Sequence, residues 1–458
     1  MMRDFSLAEA AALTLGHCDE VAAAEQVYSG VSTDTRNIHQ GDLFVALRGE
    51  NFDGHRFLET ARSAGAVGAV VDSQDQNVAF PQIAVKDTVA ALARLAAGNR
   101  NESHAQFVAV TGSSGKTTVR EMVASILSQV GATLATEGNL NNHIGVPLTL
   151  FRLTPAHRFG AIELGASGLG EIAHTVAITR PQVGILTNAG SAHLEGFGSY
   201  DNIVSAKGEI IDGVDAAGLV VLNGDDPAFD IWKKRAGERR VAAVCRHSSA
   251  LADYFPSAVS ADTDGQSFIA QDRHGWQCSV TLRLHGDHNI TNALLAIAAT
   301  RELGVSDDAI QRGLQALQAV RGRLHVVELM PGLTLIDDSY NANPASMKAA
   351  IGVLASRPGT RVAVLGAMAE LGPGSHALHQ EIGAFARDSG IERLLAVGPG
   401  CEGYIEGFGD STEICSAHND AVDRLLADSQ RPLTVLVKGS RGSAMDRVAE
   451  GMNDKVKQ

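Results

Sequence analysis

The stretch Phe107-Val108-Ala109-Val110-Thr111-Gly112-Ser113-Ser114-Gly115-Lys116-Thr117-Thr118 decides how this chain is read. An apolar run ends in a glycine-bearing loop, which passes into Lys-Thr-Thr. Beyond it Val119, Met122, Val123, Ile126, Leu127 and Val130 recur on one face of a helix. Strand, loop and helix in that order form the layout of a nucleoside triphosphate site. Glycines let backbone N–H groups close around phosphate oxygens, and the positive helix N-terminus faces the same anion. On this reading Gly112, Ser113, Ser114, Gly115 and Thr118 frame the phosphates. Lys116 reaches the outer ones, and the Thr117 hydroxyl is a Mg²⁺ ligand. Val110 stands where a full Walker A pattern has glycine, so the flanking strand and helix carry part of the assignment. An ATP site is expected.

A chain of 458 residues is too long for one core and implies two to four domains. Its net charge of −14 argues against a nucleic-acid partner, which needs a basic footprint. Anionic small substrates stay open, because a few placed cations set a local field against the global sign. Cys18, Cys245, Cys278, Cys401 and Cys415 are widely scattered, which points to free thiols in a reducing compartment rather than a disulfide framework or zinc site. Met1 to Glu20 holds no basic segment followed by an apolar core, and no apolar run reaches membrane-spanning length. A cytoplasmic protein without membrane insertion is expected.

Three α/β parts follow from the pattern of elements: 1–84, 85–319 and 320–458. The first alternates short strands, such as 43–47 and 68–71, with helical patterns such as 56–64. A helix over 89–99 leads into the phosphate-loop strand. The middle part adds apolar runs at 160–164, 183–187 and 219–222, each ending in polar residues, as strands do that deliver side chains to one sheet edge. The stretch 245–285 reads as short antiparallel strands, and a helix follows over 289–303. Strand candidates at 333–337, 361–365, 393–397 and 433–437, interleaved with helices, predict a second parallel sheet of doubly wound type.

Four constellations could carry chemistry. Glu163 closes the run Ala161-Ile162-Glu163-Leu164 and is placed to hold Mg²⁺, although a strand-end carboxylate is often merely solvated. His193 and Lys207 follow the strand ending Thr187-Asn188-Ala189. Alone, each would be an ordinary structural or surface residue; a strand edge that holds ATP raises the stakes for both. Asp337-Asp338-Ser339-Tyr340-Asn341-Ala342-Asn343-Pro344 leaves a strand before a helix, with Asn343 as N-cap and Pro344 at the first helical position. Lys438-Gly439-Ser440-Arg441-Gly442 leaves the last strand as a cradle for a carboxylate or phosphate, unless its cations are simply surface charges.

At these residues the chain resembles the Mur ligases, the ATP-dependent amide-forming enzymes of bacterial peptidoglycan assembly. The resemblance runs from Val31-Ser32-Thr33-Asp34-Thr35-Arg36 and Gly41-Asp42-Leu43-Phe44-Val45-Ala46-Leu47 through the phosphate loop. It continues in Asn139-Leu140-Asn141-Asn142-His143-Ile144-Gly145-Val146-Pro147, His193 with Lys207, His288-Asn289-Ile290-Thr291-Asn292-Ala293, Gly322-Arg323-Leu324 and the 337–344 cluster. The stretches at 141–147 and 337–344, with Gly366-Ala367-Met368-Ala369-Glu370-Leu371-Gly372, are most similar to the branch that adds D-alanyl-D-alanine. The Asp-Asn-Pro-Arg motif of the diaminopimelate-adding branch is absent. Ala367 departs from the Asp that the dipeptide-adding branch commonly has there.

The resemblance implies three domains: a small α/β UDP-binding domain, a central P-loop ATPase-like domain with a parallel sheet, and a C-terminal Rossmann-like domain. It implies as substrates ATP, UDP-N-acetylmuramoyl-tripeptide and D-alanyl-D-alanine, joined through an acyl phosphate. Thr117 and Glu163 would hold one Mg²⁺, and His193 a second together with Lys207, whose position is carbamylated in the family. A carbamate makes chemical sense there: an ammonium repels Mg²⁺, whereas a carbamate offers an anionic oxygen. Lys116, Lys207, His193 and Glu163 would carry the catalysis. Asn292, Arg323, Asp338, Tyr340 and Asn341 would contact the nucleotide. Ser32, Thr33, Asp34 and Arg36 would bind the UDP end, and Asn141, Asn142, Lys438 and Arg441 the peptide substrates. A monomer is expected, with its third domain swinging onto the second when ATP and the UDP-substrate bind.

The sequence leaves two kinds of rival. One is another carboxylate–amine ligase on the same scaffold, diaminopimelate- or lysine-adding or a folylpolyglutamate synthase; the Ser-Thr-Asp-Thr-Arg stretch favours a UDP-sugar over a folate. The other is a nucleotide-dependent switch, which has no evident need for His193 and Lys207.

Overall fold

Three large sheets, besides two small two-stranded ones, follow one another along the chain in a computed structural model that describes residues 1–18, 24–190, 194–262, 265–427 and 432–457. The first holds five short strands in the order His17–Cys18, Gln82–Ala84, Gly68–Val71, Asp42–Val45 and Gly30–Ser32. Only its His17–Cys18 edge runs antiparallel. The helix expected over 56–64 begins as a tighter turn, Gly54–Phe57, and becomes α-helical at Leu58–Ser63. The cause is local: the Asp53 carboxylate accepts the His55 N–H and caps the tight turn.

The helix Thr88–Asn101, capped by Asp87, joins the first sheet to the second. Its Leu92, Leu95 and Ala96 belong to a core that runs without a break from Phe5 and Leu43 into the central sheet. That sheet has nine strands in the order Thr133–Ala135, Phe159–Glu163, Gln106–Thr111, Val183–Leu186, Leu219–Asn223, Arg240–Val244, Tyr254–Ala261, Gln266–Asp272 and Gln277–Leu282. The first seven pair in parallel and the last two pairings are antiparallel, as the sequence of 245–285 suggests. Helix Lys116–Leu127 packs on one face with Asp287–Glu302 and Asp307–Ala316. Its Val119, Met122, Val123, Ile126 and Leu127 are fully buried, whereas Val130 lies in the turn beyond the helix end.

The third sheet runs His325–Met330, Leu333–Asp338, Leu433–Lys438, Thr360–Gly366, Arg393–Val397, Thr412–Cys415. All pairings but the first are parallel, with cores on both faces. The four expected strands are its centre. Its two edge strands are not evident in the sequence, because edges lack the continuous apolar run of a doubly covered strand; Ile414, for one, points outward and is 64% exposed. Asn343 caps helix Pro344–Ala355 in a capping box with Ser346, and Pro344 takes the first turn, as expected.

Strand order sets the position of the site. Gln106–Thr111 lies between Phe159–Glu163 and Val183–Leu186, so the chain leaves it at a point where connections diverge to either side. A crevice opens at such a point beyond the strands' C-terminal ends. Among the described residues no helix is long and apolar enough to cross a membrane.

Candidate active site

A cleft of about 800 Å³ opens between the second and third sheets, with the phosphate loop on one wall and Arg323, Asp338, Tyr340, Asn341, Lys438 and Arg441 on the other. The loop needs glycine at two points. Gly112 has φ +145°, and a Cβ there would lie 1.9 Å from Thr187 Oγ1. Gly115 has φ +79°, and its Cβ would press on Asn292 Oδ1 at 2.9 Å. The neighbouring strand end completes the loop. Ser113 Oγ donates to Gly190 O and accepts the Gly190 N–H, while Asn188 Oδ1 accepts the Ser114 N–H at 3.0 Å.

Thr117 and Glu163 meet. The hydroxyl donates to Glu163 Oε2 at 2.8 Å, and Asn141 Nδ2 donates to Oε1 at 2.7 Å. Parallel pairing makes this contact, since Val110 sits opposite Glu163 and the loop leaves one residue later. A hydroxyl and a carboxylate side by side form a hard-oxygen donor set, which suits Mg²⁺. Lys116 Nζ donates to Gly112 O at 2.8 Å. Burial lowers its pKa, Glu163 opposes that, and Arg323 from the far wall adds to the lowering. The lysine therefore lies within the field of both domains.

Lys207 lies on helix Tyr200–Asp212 and is 1% exposed. Its Nζ approaches Ala166 O at 3.3 Å and stands 5.0 Å from the centre of the Phe197 ring. Burial, with the nearby charge of Lys116, pulls its pKa down to about 7. Two residues on, Glu209 accepts the N–H groups of Gly170 and Ala173, and so pins the start of helix Glu171–Thr179. His193, with Ser191 and Ala192, lies outside the described residues.

The far wall is an ordered polar network. Asp338 Oδ1 accepts the Leu324 N–H at 3.0 Å and Asp337 Oδ2 the Gly322 N–H at 3.1 Å, so both acids grip the turn that carries Arg323. The Arg323 guanidinium lies 4.3 Å from the centre of the Tyr340 ring and that of Arg441 5.6 Å. Asn292 Nδ2 donates to Asn289 Oδ1, and Asn289 Nδ2 to His285 O. Asn341 Oδ1 accepts the Ala342 N–H, and Thr118 and Asn142 line the cleft floor.

One expectation changes. Lys438, expected at a substrate, is 2% exposed and donates to Asp338 Oδ2 at 2.6 Å and to Asn341 O at 2.8 Å. Its charge is taken by a neighbour in register, which leaves Arg441 as the accessible cation of that stretch. Ser32, Thr33, Asp34 and Arg36 line a different surface, on the first domain, away from this cleft. There the Arg36 guanidinium is held by Asp34 at 2.6 Å, and Ser32 Oγ donates to Asp34 O. His288 and Asn289, within the stretch 288–293, also line the cleft beside Asn292, and no motif in the sequence marks them apart from it. Burial, with Lys438 opposite, holds the His288 pKa down at about 4.

Comparison with known proteins finds similarity along nearly the whole chain. Family models match in three consecutive pieces: "Mur ligase family, catalytic domain" over 27–100, "Mur ligase middle domain" over 110–300, and "Mur ligase, glutamate ligase domain" over 322–441. The chain is 44% identical to the UDP-N-acetylmuramoyl-tripeptide–D-alanyl-D-alanine ligase of Escherichia coli (strain K12), covering 95% of this chain and 96% of that one. It is similar in structure to MurF from Acinetobacter baumannii, with a TM-score of 0.93, 32% identity and 99% of both chains covered. MurF ligase from Thermotoga maritima in complex with ADP superposes with a TM-score of 0.85 and 28% identity, over 93% of this chain and 98% of that one.

Proposed function

The chain belongs to the Mur ligase family, and from that premise we propose how its own residues carry out the ligation. The reaction is the ATP-dependent joining of D-alanyl-D-alanine to UDP-N-acetylmuramoyl-tripeptide, a peptide-adding step of peptidoglycan precursor synthesis. One observation carries the assignment of residues: Lys116, Thr117 and Glu163 converge at the strand ends and face Arg323 and Tyr340 across a single cleft.

The terminal carboxylate of the tripeptide attacks the γ-phosphorus of ATP, ADP leaves, and an acyl phosphate forms. The free amine of D-alanyl-D-alanine then adds to the acyl carbon. The tetrahedral adduct collapses to the amide and phosphate, and the amine's surplus proton is released. The difficulty is electrostatic, because two anions must meet. Lys116, desolvated and within reach of the outer phosphates, supplies positive charge where it develops, and positioning supplies most of the rest. Thr117 and Glu163 would hold Mg²⁺, which would supply neutralisation of the phosphate charge. Arg323, Tyr340 and Asp338, with Asn341, Asn289 and Asn292, frame the nucleotide. Arg441 and the Asn141–Asn142 turn face the peptide substrates.

Lys207 is the residue we assign to carbamylation, with His193 as its partner at a second Mg²⁺. Its pKa of about 7 supports this: much of the amine is neutral near pH 7, and only a neutral amine adds CO₂. The units 1–84, 85–319 and 320–458 serve as UDP-binding, ATP-binding and closing domains of a cytoplasmic monomer. Ser32, Thr33, Asp34 and Arg36 take the UDP end.

The deciding experiment measures phosphate release from ATP with UDP-N-acetylmuramoyl-tripeptide, with and without D-alanyl-D-alanine, and weighs the product. Release that needs both substrates, with the dipeptide incorporated, is expected. Release indifferent to the amine would sink the ligase reading.

A further inference from the structure

The stretch Gly366-Ala367-Met368-Ala369-Glu370-Leu371-Gly372 lies outside the lining of the cleft, yet its backbone is held at every turn. Tyr404 Oη donates to Gly366 O at 3.1 Å. Ala367 O accepts the Ser440 N–H and the Ser440 hydroxyl. The Met368 N–H donates to His379 Nε2 at 2.8 Å, and His379 Nδ1 lies 2.7 Å from Ser375 O. A carbonyl can only accept, so Nδ1 carries the proton and Nε2 offers its lone pair: the imidazole is neutral and in one tautomer. Its ring is 1% exposed, packs on Tyr404 at 4.7 Å between centroids, and is kept neutral by burial, which lowers its pKa.

The loop so fixed points at the other domain. Met368 and Leu371 are buried in the C-terminal core, and between them Glu370 takes a left-handed conformation with φ +61°. That conformation is uncommon for a residue with a side chain. It turns the Glu370 carbonyl outward to accept the Glu195 N–H of helix Leu194–Phe197 at 3.2 Å. The same short helix carries Phe197, whose ring faces Lys207 Nζ, and Gly196, where a Cβ would meet Ser167 O at 2.6 Å. The loop therefore bears on the elements that enclose the buried lysine.

We propose that His379 is a positioning residue for the ligation: by accepting the Met368 N–H it shapes the 366–371 loop into a latch that seats the C-terminal domain on the helix beside Lys207. The inference rests on the ligase reading for its kinetic consequence, whereas the latch itself is read by amide exchange.

The test compares full-length His379→Leu, His379→Gln and Glu195→Pro with the unaltered protein. Glutamine keeps an acceptor for the Met368 N–H, leucine keeps only bulk, and proline removes the donor from the opposite side in a first helical turn. His379→Leu is expected to lower kcat about tenfold, the scale of one lost hydrogen bond, with KM for ATP little changed. Exchange in the peptide covering 194–198 should quicken in the same variant. His379→Gln should keep most of the turnover, and Glu195→Pro should match His379→Leu. Wild-type kcat and exchange in His379→Leu, or equal damage in His379→Gln, overturns the proposal. Should His379→Leu fail to fold, Glu195→Pro decides, since unaltered turnover there also overturns it. An unaltered protein that exchanges slowly at Glu195 but makes no amide would leave the latch standing and remove the ligase.

Discussion

Two lysines face the same cleft from two sheets, and their surroundings make them opposites. Lys116 opens the helix after the phosphate loop and donates to a neutral carbonyl, that of Gly112. Lys438 ends the last strand and is neutralised by Asp338 at 2.6 Å. Burial works against the charge of Lys116, Glu163 opposes that from a distance, and among the described residues no ion pair takes the charge, so it is available to an incoming anion. Lys438 has spent its charge on the protein. Its work is to hold Asp338, which in turn accepts the Leu324 N–H and so steadies the turn that carries Arg323. A strand-end cation in a sequence thus says that charge is present; the partner across the sheet says whether it is free.

The sharpest way to break this contrast is Lys116→Met. Loss of the cation at the phosphates should lower turnover by roughly a thousandfold or more, as for removal of a preorganised charge at a transition state. Stability should hold or rise, because a desolvated ammonium is replaced by an apolar chain of similar length. Phosphate release and a thermal melt on the same sample check both halves. A melt that falls steeply would mean the lysine is structural after all.

Lys207→Ala comes next, with a fall of roughly a hundredfold expected from removing an anionic ligand close to the reacting phosphate. If the carbamate is what acts, acetate should restore part of the rate, since a small carboxylate can occupy the space left by the side chain. No effect of acetate, alongside unmodified mass at Lys207 in bicarbonate, would refute the carbamate.

Lys438→Met should invert the pattern of Lys116→Met. It leaves the Asp338 carboxylate buried without its cation, which costs about 3–5 kcal/mol for a broken buried pair. The kcat/KM for ATP should fall only about tenfold, mostly through a raised KM, because the turn that carries Arg323 loosens. The double variant Lys438→Met/Asp338→Asn should regain much of the stability, since it removes the stranded charge. Calorimetry that shows additive losses would deny the coupling.

How far these residues were legible follows from distance along the chain and across the sheet. The phosphate loop is local: strand, two glycines with positive φ and an amphipathic helix lie within one quoted stretch, and all were readable. Glu163 was readable as a strand-end acid, and the neighbouring parallel strand then brought it to Thr117. Lys438 and Asp338 are also strand-end residues, in register on adjacent strands. Their adjacency is not written in either segment, so two charges that cancel were read as two charges on offer. His379 shows the same limit. Nothing around it in sequence marks the acceptor of a backbone N–H eleven residues earlier, in a different element. The edge strands escaped for another reason, since half-exposed strands carry no long apolar run.

The smallest effect belongs to the first domain, where the contrast has a third case. Arg36 is exposed and donates to Asp34 through Nε and Nη2, and this pairing lowers the Asp34 pKa to about 2. Such a pair stays ionised through any working pH and adds little to the fold, because solvent screens it. A UDP phosphate that takes Arg36 must draw the guanidinium from a carboxylate already holding it, so the net gain is an exchange of partners. Arg36→Ala should therefore raise KM for the UDP-substrate only about three- to tenfold, leave kcat and KM for ATP unchanged, and leave the melt where it was. Asp34→Asn, which frees the arginine, should lower that KM or leave it alone. A fall in kcat with Arg36→Ala would place the first domain in the chemical step, and the division between free, spent and exchangeable cations would no longer hold.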